Sequence, residues 1–118
     1  MTEIVHFHIH EEGVDIQPPV GENRIVVDSA AKAIIPLLGK NLKGKNFVVS
    51  GSWLEVCVPE VAKYLLRKGA EVEIDLTLCR SAHPSDVGNN NKNLENRSNI
   101  IAEKMGEFSD NNNLVINV

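Results

Sequence analysis

The chain has 118 residues, of which 42% are apolar and 24% charged, and a net charge of −4. That is the make-up of one globular domain, long enough to bury a core without disulfides or metal. With no basic cluster and no apolar run near the ~20 residues of a membrane span, nucleic-acid and membrane partners are not expected.

The first residues, "MTEIVHFHIH", lack a charged segment leading into an apolar one, so no export signal is read and a cytoplasmic protein is expected. Cys57 and Cys79 form neither a disulfide framework nor a metal-ligand spacing.

Taken in order, strand-like runs cover Ile4 to His10, Ile25 to Asp28, Asn46 to Ser50, Glu71 to Leu78 and Leu114 to Val118. Helical patterns lie between them, at Ser29 to Leu42, Glu55 to Lys68 and Lys92 to Phe108. Strands alternating with helices predict βαβ crossovers and an α/β, Rossmann-like fold in three layers. A mostly parallel sheet of about five strands would carry helices on both faces. "FVVS" and "RIVVD" are apolar enough for strands covered on both faces.

Pro36 predicts that the first helix is either short, starting near that residue, or kinked there. Gly69 after "YLLRK" marks the end of the second helix, and Pro59 suits its first turn. In the third, Leu94, Ile101, Met105 and Phe108 share a face at helical spacing, which predicts a core-facing stripe. "GNNNKN" reads as a loop. No internal repeat and no phosphate-binding glycine motif is present.

The densest signal is "VVSGSWLEVCVPEVAKYLLRKGA", Val48 to Ala70. It places Cys57 where the C-terminal end of a strand gives way to a helix, the edge where open α/β sheets bind ligands. Unpaired N–H groups at a helix start favour a thiolate and can hold a developing oxyanion. The residues equally suit a small buried thiol, since cysteine is among the most buried residue types.

This stretch resembles the isochorismatase-like cysteine hydrolases, which include nicotinamidases and N-carbamoyl amidohydrolases. Gly51, Glu55, Cys57, Val58, Pro59 and Gly69 carry the likeness. Upstream, "IQPPVGENRIVVDSAAKAIIPLLGKNL" is similar to the segment that precedes the motif in that family, so the likeness spans Ile16 to Ser81. It implies a nucleophilic role for Cys57 on small amides, with Gly51, Ser52, Trp53 and Val56 around the substrate. It also implies an oxyanion hole of backbone N–H groups and a cis peptide bond at Ser52–Trp53.

Against the family pattern, 1–118 forms a single domain that lacks the usual first strand–helix unit and the catalytic aspartate it carries. The family's lysine position holds Asp28, and its threonine position holds Leu54. Without a base or a lysine to stabilise the thiolate, the usual activation of the thiol is absent. Two substitutes are available in the sequence. Lys32 lies near Asp28, and His6, His8 and His10 alternate along one strand face, roughly 7 Å apart per two residues.

If that strand replaces the missing one, His8 or His10 reaches the sheet edge as a general base. The same three imidazoles suit a divalent metal such as zinc, with Glu11, Glu12 and Asp15 as further donors. The plainer reading is an edge strand with a solvated polar face and Val5, Phe7 and Ile9 turned inward. Trp53 suits stacking on a planar ligand or a place in the core. In "CRSAHPSD", Arg80, His83 and Asp86 fall where pocket loops gather, or simply in a solvated loop.

Three functions are therefore weighed. The first is a divergent or catalytically impaired cysteine hydrolase that uses Cys57 and no cofactor. The second is a non-catalytic module that binds a small molecule or self-associates, since a shortened sheet leaves an edge to cover and favours a homo-oligomer. The third is a metal-binding protein of the histidine strand.

Overall fold

Among the residues the structure describes, runs rich in Ile, Val and Phe give five strands, all parallel. They are β1 (Ile4–Ile9), β2 (Arg24–Val27), β3 (Asn46–Ser52), β4 (Glu71–Arg80) and β5 (Leu114–Asn117), in the spatial order β2-β1-β3-β4-β5. The computed structural model describes residues 4–10, 23–81 and 94–117. The loops proposed around "GNNNKN", and the residues Glu11, Glu12, Asp15, His83, Asp86 and Val118, lie outside that set.

Among the described residues, three α-helices connect the strands: α1 (Ala30–Ile34), α2 (Cys57–Arg67) and α3 (Leu94–Met105). The β2-to-β3, β3-to-β4 and β4-to-β5 connections all step the same way across the sheet. Right-handed crossovers therefore put α1, α2 and α3 on one face, where α1 packs on α2 and α2 on α3. Of the two helical layers expected, the described residues supply this one.

Each helix ends for a local reason. Ser29 caps α1 by accepting from the Lys32 N–H at 3.2 Å, and the helix stops before Pro36, where a 3₁₀ turn (Ile35–Leu37) takes over. The first helix is thus short, but it begins at Ala30 and not near Pro36. At the end of α2, the N–H groups of Gly69 and Ala70 donate to the carbonyls of Leu66 and Leu65, at 3.0 and 3.1 Å. Gly69 has φ +85° there, the left-handed turn that a C′ glycine permits. The third pattern divides into α3 and a 3₁₀ turn (Gly106–Asp110).

Val58, Val61, Ala62, Leu65 and Leu66 of α2 are buried at helical spacing against Phe7, Val49, Ile74 and Leu76 of the sheet. Ile101 and Met105 of α3 complete the core. Truncating one such side chain, as in Leu65→Ala, costs about 2–5 kcal/mol through lost burial and the cavity left behind. The α3 face also buries Arg97, which donates from Nη1 to the Leu76 carbonyl at 3.1 Å. The apolar stripe gave no sign of that residue.

One strand assignment is corrected. The histidine strand is not at an edge: β1 lies between β2 and β3, with His8 opposite Val26 on one side and Ser50 on the other. Val5, Phe7 and Ile9 do face the helical layer, but the polar face is not solvated at His8, which is 1% exposed.

Candidate functional site

The C-terminal edge of the sheet is assembled by a close approach of β3 to β1. Gly51 pairs with Ile9, and an added Cβ at Gly51 would stand 2.0 Å from the Ile9 carbonyl oxygen. Its φ of +106° is a conformation that side-chain-bearing residues rarely adopt. The next peptide bond, Ser52–Trp53, is cis, the geometry the resemblance implies at that bond. The chain then turns. Leu54 N–H donates to the Arg80 carbonyl at 3.0 Å, and the Trp53 carbonyl accepts from Val56 and Val58 at 3.1 and 3.2 Å.

Cys57 is therefore the first residue of α2, after the turn that follows β3. The expectation that the helix opened at Glu55 placed Cys57 one half-turn inside it. The thiol is half-buried and packs against the edge of the core. Among the described residues, no hydrogen bond or ion pair reaches its sulfur.

The residues at the neighbouring strand ends are His10 after β1 and Asp28 after β2. Asp28 pairs with Lys32 at 2.9 Å, with both side chains about two-thirds exposed. The hydrogen bond from the Lys32 ammonium holds the Asp28 carboxyl below the usual carboxylate range. Lys32 is thus directed to Asp28, one turn away on the same segment. His10, Val26, Val27, Asp28 and Lys32 line a shallow open recess, and Cys57 is not among its walls.

The residues proposed around a substrate are likewise dispersed. Gly51 and Ser52 are buried, with the Ser52 hydroxyl turned toward the Ile9 carbonyl at 3.5 Å. Trp53 is half-buried. Val56 is 58% exposed and lines a charged groove between α2 and α3, with Glu60, Lys63, Arg67 and Lys104. Leu54, where the resemblance implies a threonine, is fully buried. Arg80, expected in a solvated loop, ends β4 and is 2% exposed. The adjacent Ser81 hydroxyl donates to the Glu55 carboxylate.

On the sheet face away from the helices, β1 and β3 bring three polar side chains together. His6 Nε2 and His8 Nδ1 each lie 2.7 Å from the same Ser50 Oγ. The His8 and His10 rings follow, with centroids 6.3 Å apart. Burial, then the neighbouring His6, His10 and Arg24, lowers the His8 pKa to about 4. Burial also lowers that of His6, partly opposed by Asp75 across the sheet. A base that weak accepts little proton density near neutral pH, so His8 is poorly matched to general-base work.

Among the described residues, no group of three or more His, Cys, Asp or Glu side chains is placed to hold a metal ion. Two ring nitrogens are turned to Ser50 instead. His10 Nδ1 is buried with no hydrogen-bond partner among the described residues.

The fold and this edge define a parallel α/β protein with a helix-start cysteine and a buried His–Ser–His cluster. Compared with known proteins, the chain matches no family model, no curated protein and no solved structure.

Proposed function

We propose that the chain is an isochorismatase-like domain that keeps the nucleophile's place without the groups that activate it: a catalytically impaired relative of the small-amide cysteine hydrolases. The strand–turn–helix around Gly51 and Cys57 at the start of α2 support the relationship. One observation carries the impairment: no described acid, base or cation is hydrogen-bonded to the Cys57 sulfur. Meanwhile the lysine position holds Asp28, engaged with Lys32. A thiol without a base or cation beside it lacks the activation that nucleophilic catalysis requires.

On this reading the edge retains a scaffold for a small molecule and has lost turnover. The test is ammonia release from a panel of small amides, nicotinamide and N-carbamoyl amino acids among them. Release no greater than that of Cys57→Ala supports the reading. Release that disappears with Cys57→Ala overturns it.

A further inference from the structure

At the opposite end of the sheet, the N-terminal ends of β1 and β3 and the segment after α1 enclose a separate recess of about 360 Å³. Its floor belongs to the core. Phe7 and Phe47 stack with ring centroids 5.7 Å apart, and Leu42 is 1% exposed. Val5 and Leu37 are half-buried on its walls, and Ile25, on the outer strand β2, is 44% exposed at its lip. That size and lining are those of a site for a small apolar ligand.

The polar groups at the recess give the ligand its charge. Lys40 and Lys45 line it together with Asn46, and no described carboxylate does. Both lysines are exposed, and neither makes an ion pair among the described residues. In a chain of net charge −4, two unopposed ammonium groups over an apolar floor form a local cationic lip. Ammonium groups attract compact anions such as a carboxylate or phosphate, while the floor favours hydrocarbon.

We infer that this recess binds a small anionic amphiphile, with its apolar body against Phe7, Leu42 and Phe47 and its anionic head at Lys40 and Lys45. The inference is independent of any role for Cys57, which lies at the other end of the strands.

The probes are octanoate, octyl phosphate and octanol, titrated into the isotope-labelled full chain and followed by amide NMR. Octanoate is expected to shift Leu42, Asn46 and Phe47 saturably. Octyl phosphate binding as well or better identifies the head as any compact anion, and its failure restricts the site to carboxylates. Octanol should bind more weakly. Replacing both lysines, as Lys40→Ala with Lys45→Ala, should weaken octanoate binding about five- to tenfold, the size of two partly exposed charge contacts, and leave octanol unchanged. The second variant, Ile25→Trp, narrows the lip without touching the core floor and should weaken both ligands.

Equal binding of octanoate and octanol overturns the inference, as do shifts centred elsewhere. So does a concentration-dependent dimer whose formation alone moves the recess resonances, because a second copy would then be the occupant.

Discussion

The Ser50 hydroxyl lies 2.7 Å from Nδ1 of His8, and it serves His6 Nε2 at the same distance. With both rings uncharged, the hydroxyl donates to one nitrogen and accepts an N–H from the other, so one side chain partners the buried His8 and the half-buried His6. Ser50→Ala removes both partners at once. It is expected to destabilise the protein by about 2–3 kcal/mol, the cost of leaving buried polar groups unpaired. Urea denaturation of the variant beside wild type measures this, and a loss near zero would mean that water replaces the hydroxyl.

The same cluster sets a pH dependence. His8 titrates at about 4 in the folded protein and at 6.5 in an unfolded chain, so between those values the unfolded state binds more protons. Stability is therefore full above pH 6.5 and is lost as the pH falls toward 4. His6, lowered in the same direction by burial, adds to the trend. The loss should amount to about 1–3 kcal/mol. Urea midpoints between pH 7 and 4 should fall in wild type and fall less steeply in His8→Asn.

Gly51→Ala places a methyl group against the Ile9 carbonyl in a backbone conformation that only glycine adopts freely. The expected cost is at least about 3 kcal/mol, with a melting temperature lowered by roughly 10 °C. Thermal unfolding by circular dichroism checks it. A melting temperature within a few degrees of wild type would show that β3 can draw away from β1.

If the missing partners explain the impairment, supplying them should help. His10 and Asp28 stand at the ends of β1 and β2, where the resemblance implies an aspartate and a lysine. The double variant His10→Asp with Asp28→Lys is expected to raise the rate of Cys57 alkylation by about tenfold, as a cation near a thiol favours the thiolate. Asp28→Asn alone, which only removes an exposed ion pair, should leave the rate unchanged. Stopped-flow labelling of both variants measures the difference.

Much of the fold was legible in the residues. The alternation of apolar strands with helical patterns predicted, in order, the five strands and three α-helices of the described residues, and Gly69 marked the end of α2. The face of β1 that packs on the helices followed from Val5, Phe7 and Ile9. Spatial order was not legible: nothing local in "HFHIH" says that β2 and β3 flank it. The alternation therefore looked like an edge, whereas His8 is buried.

Ser50 was missed for the same reason. Its partnership with His6 and His8 depends on the β1–β3 register, and a serine inside an apolar strand opposite alternating histidines was the only available signal. The burial of Arg97 and Arg80 was not legible because it depends on where α3 and β4 pack, a tertiary fact that charge patterning does not carry. At the site, the placement of Cys57 at a helix start was readable. That no described residue bonds to its sulfur could only be suspected from Asp28.

The most direct test is the rate at which iodoacetamide alkylates Cys57 in the folded Cys79→Ala variant at neutral pH, compared with the same chain unfolded in urea. Cys79 is buried and donates to the Asp75 carbonyl at 3.1 Å, so its removal isolates the thiol of interest. An unactivated Cys57 predicts labelling in the folded state no faster than in the unfolded one. Labelling that is tenfold or more faster when folded would contradict the account, because it would require an activating group at the sulfur.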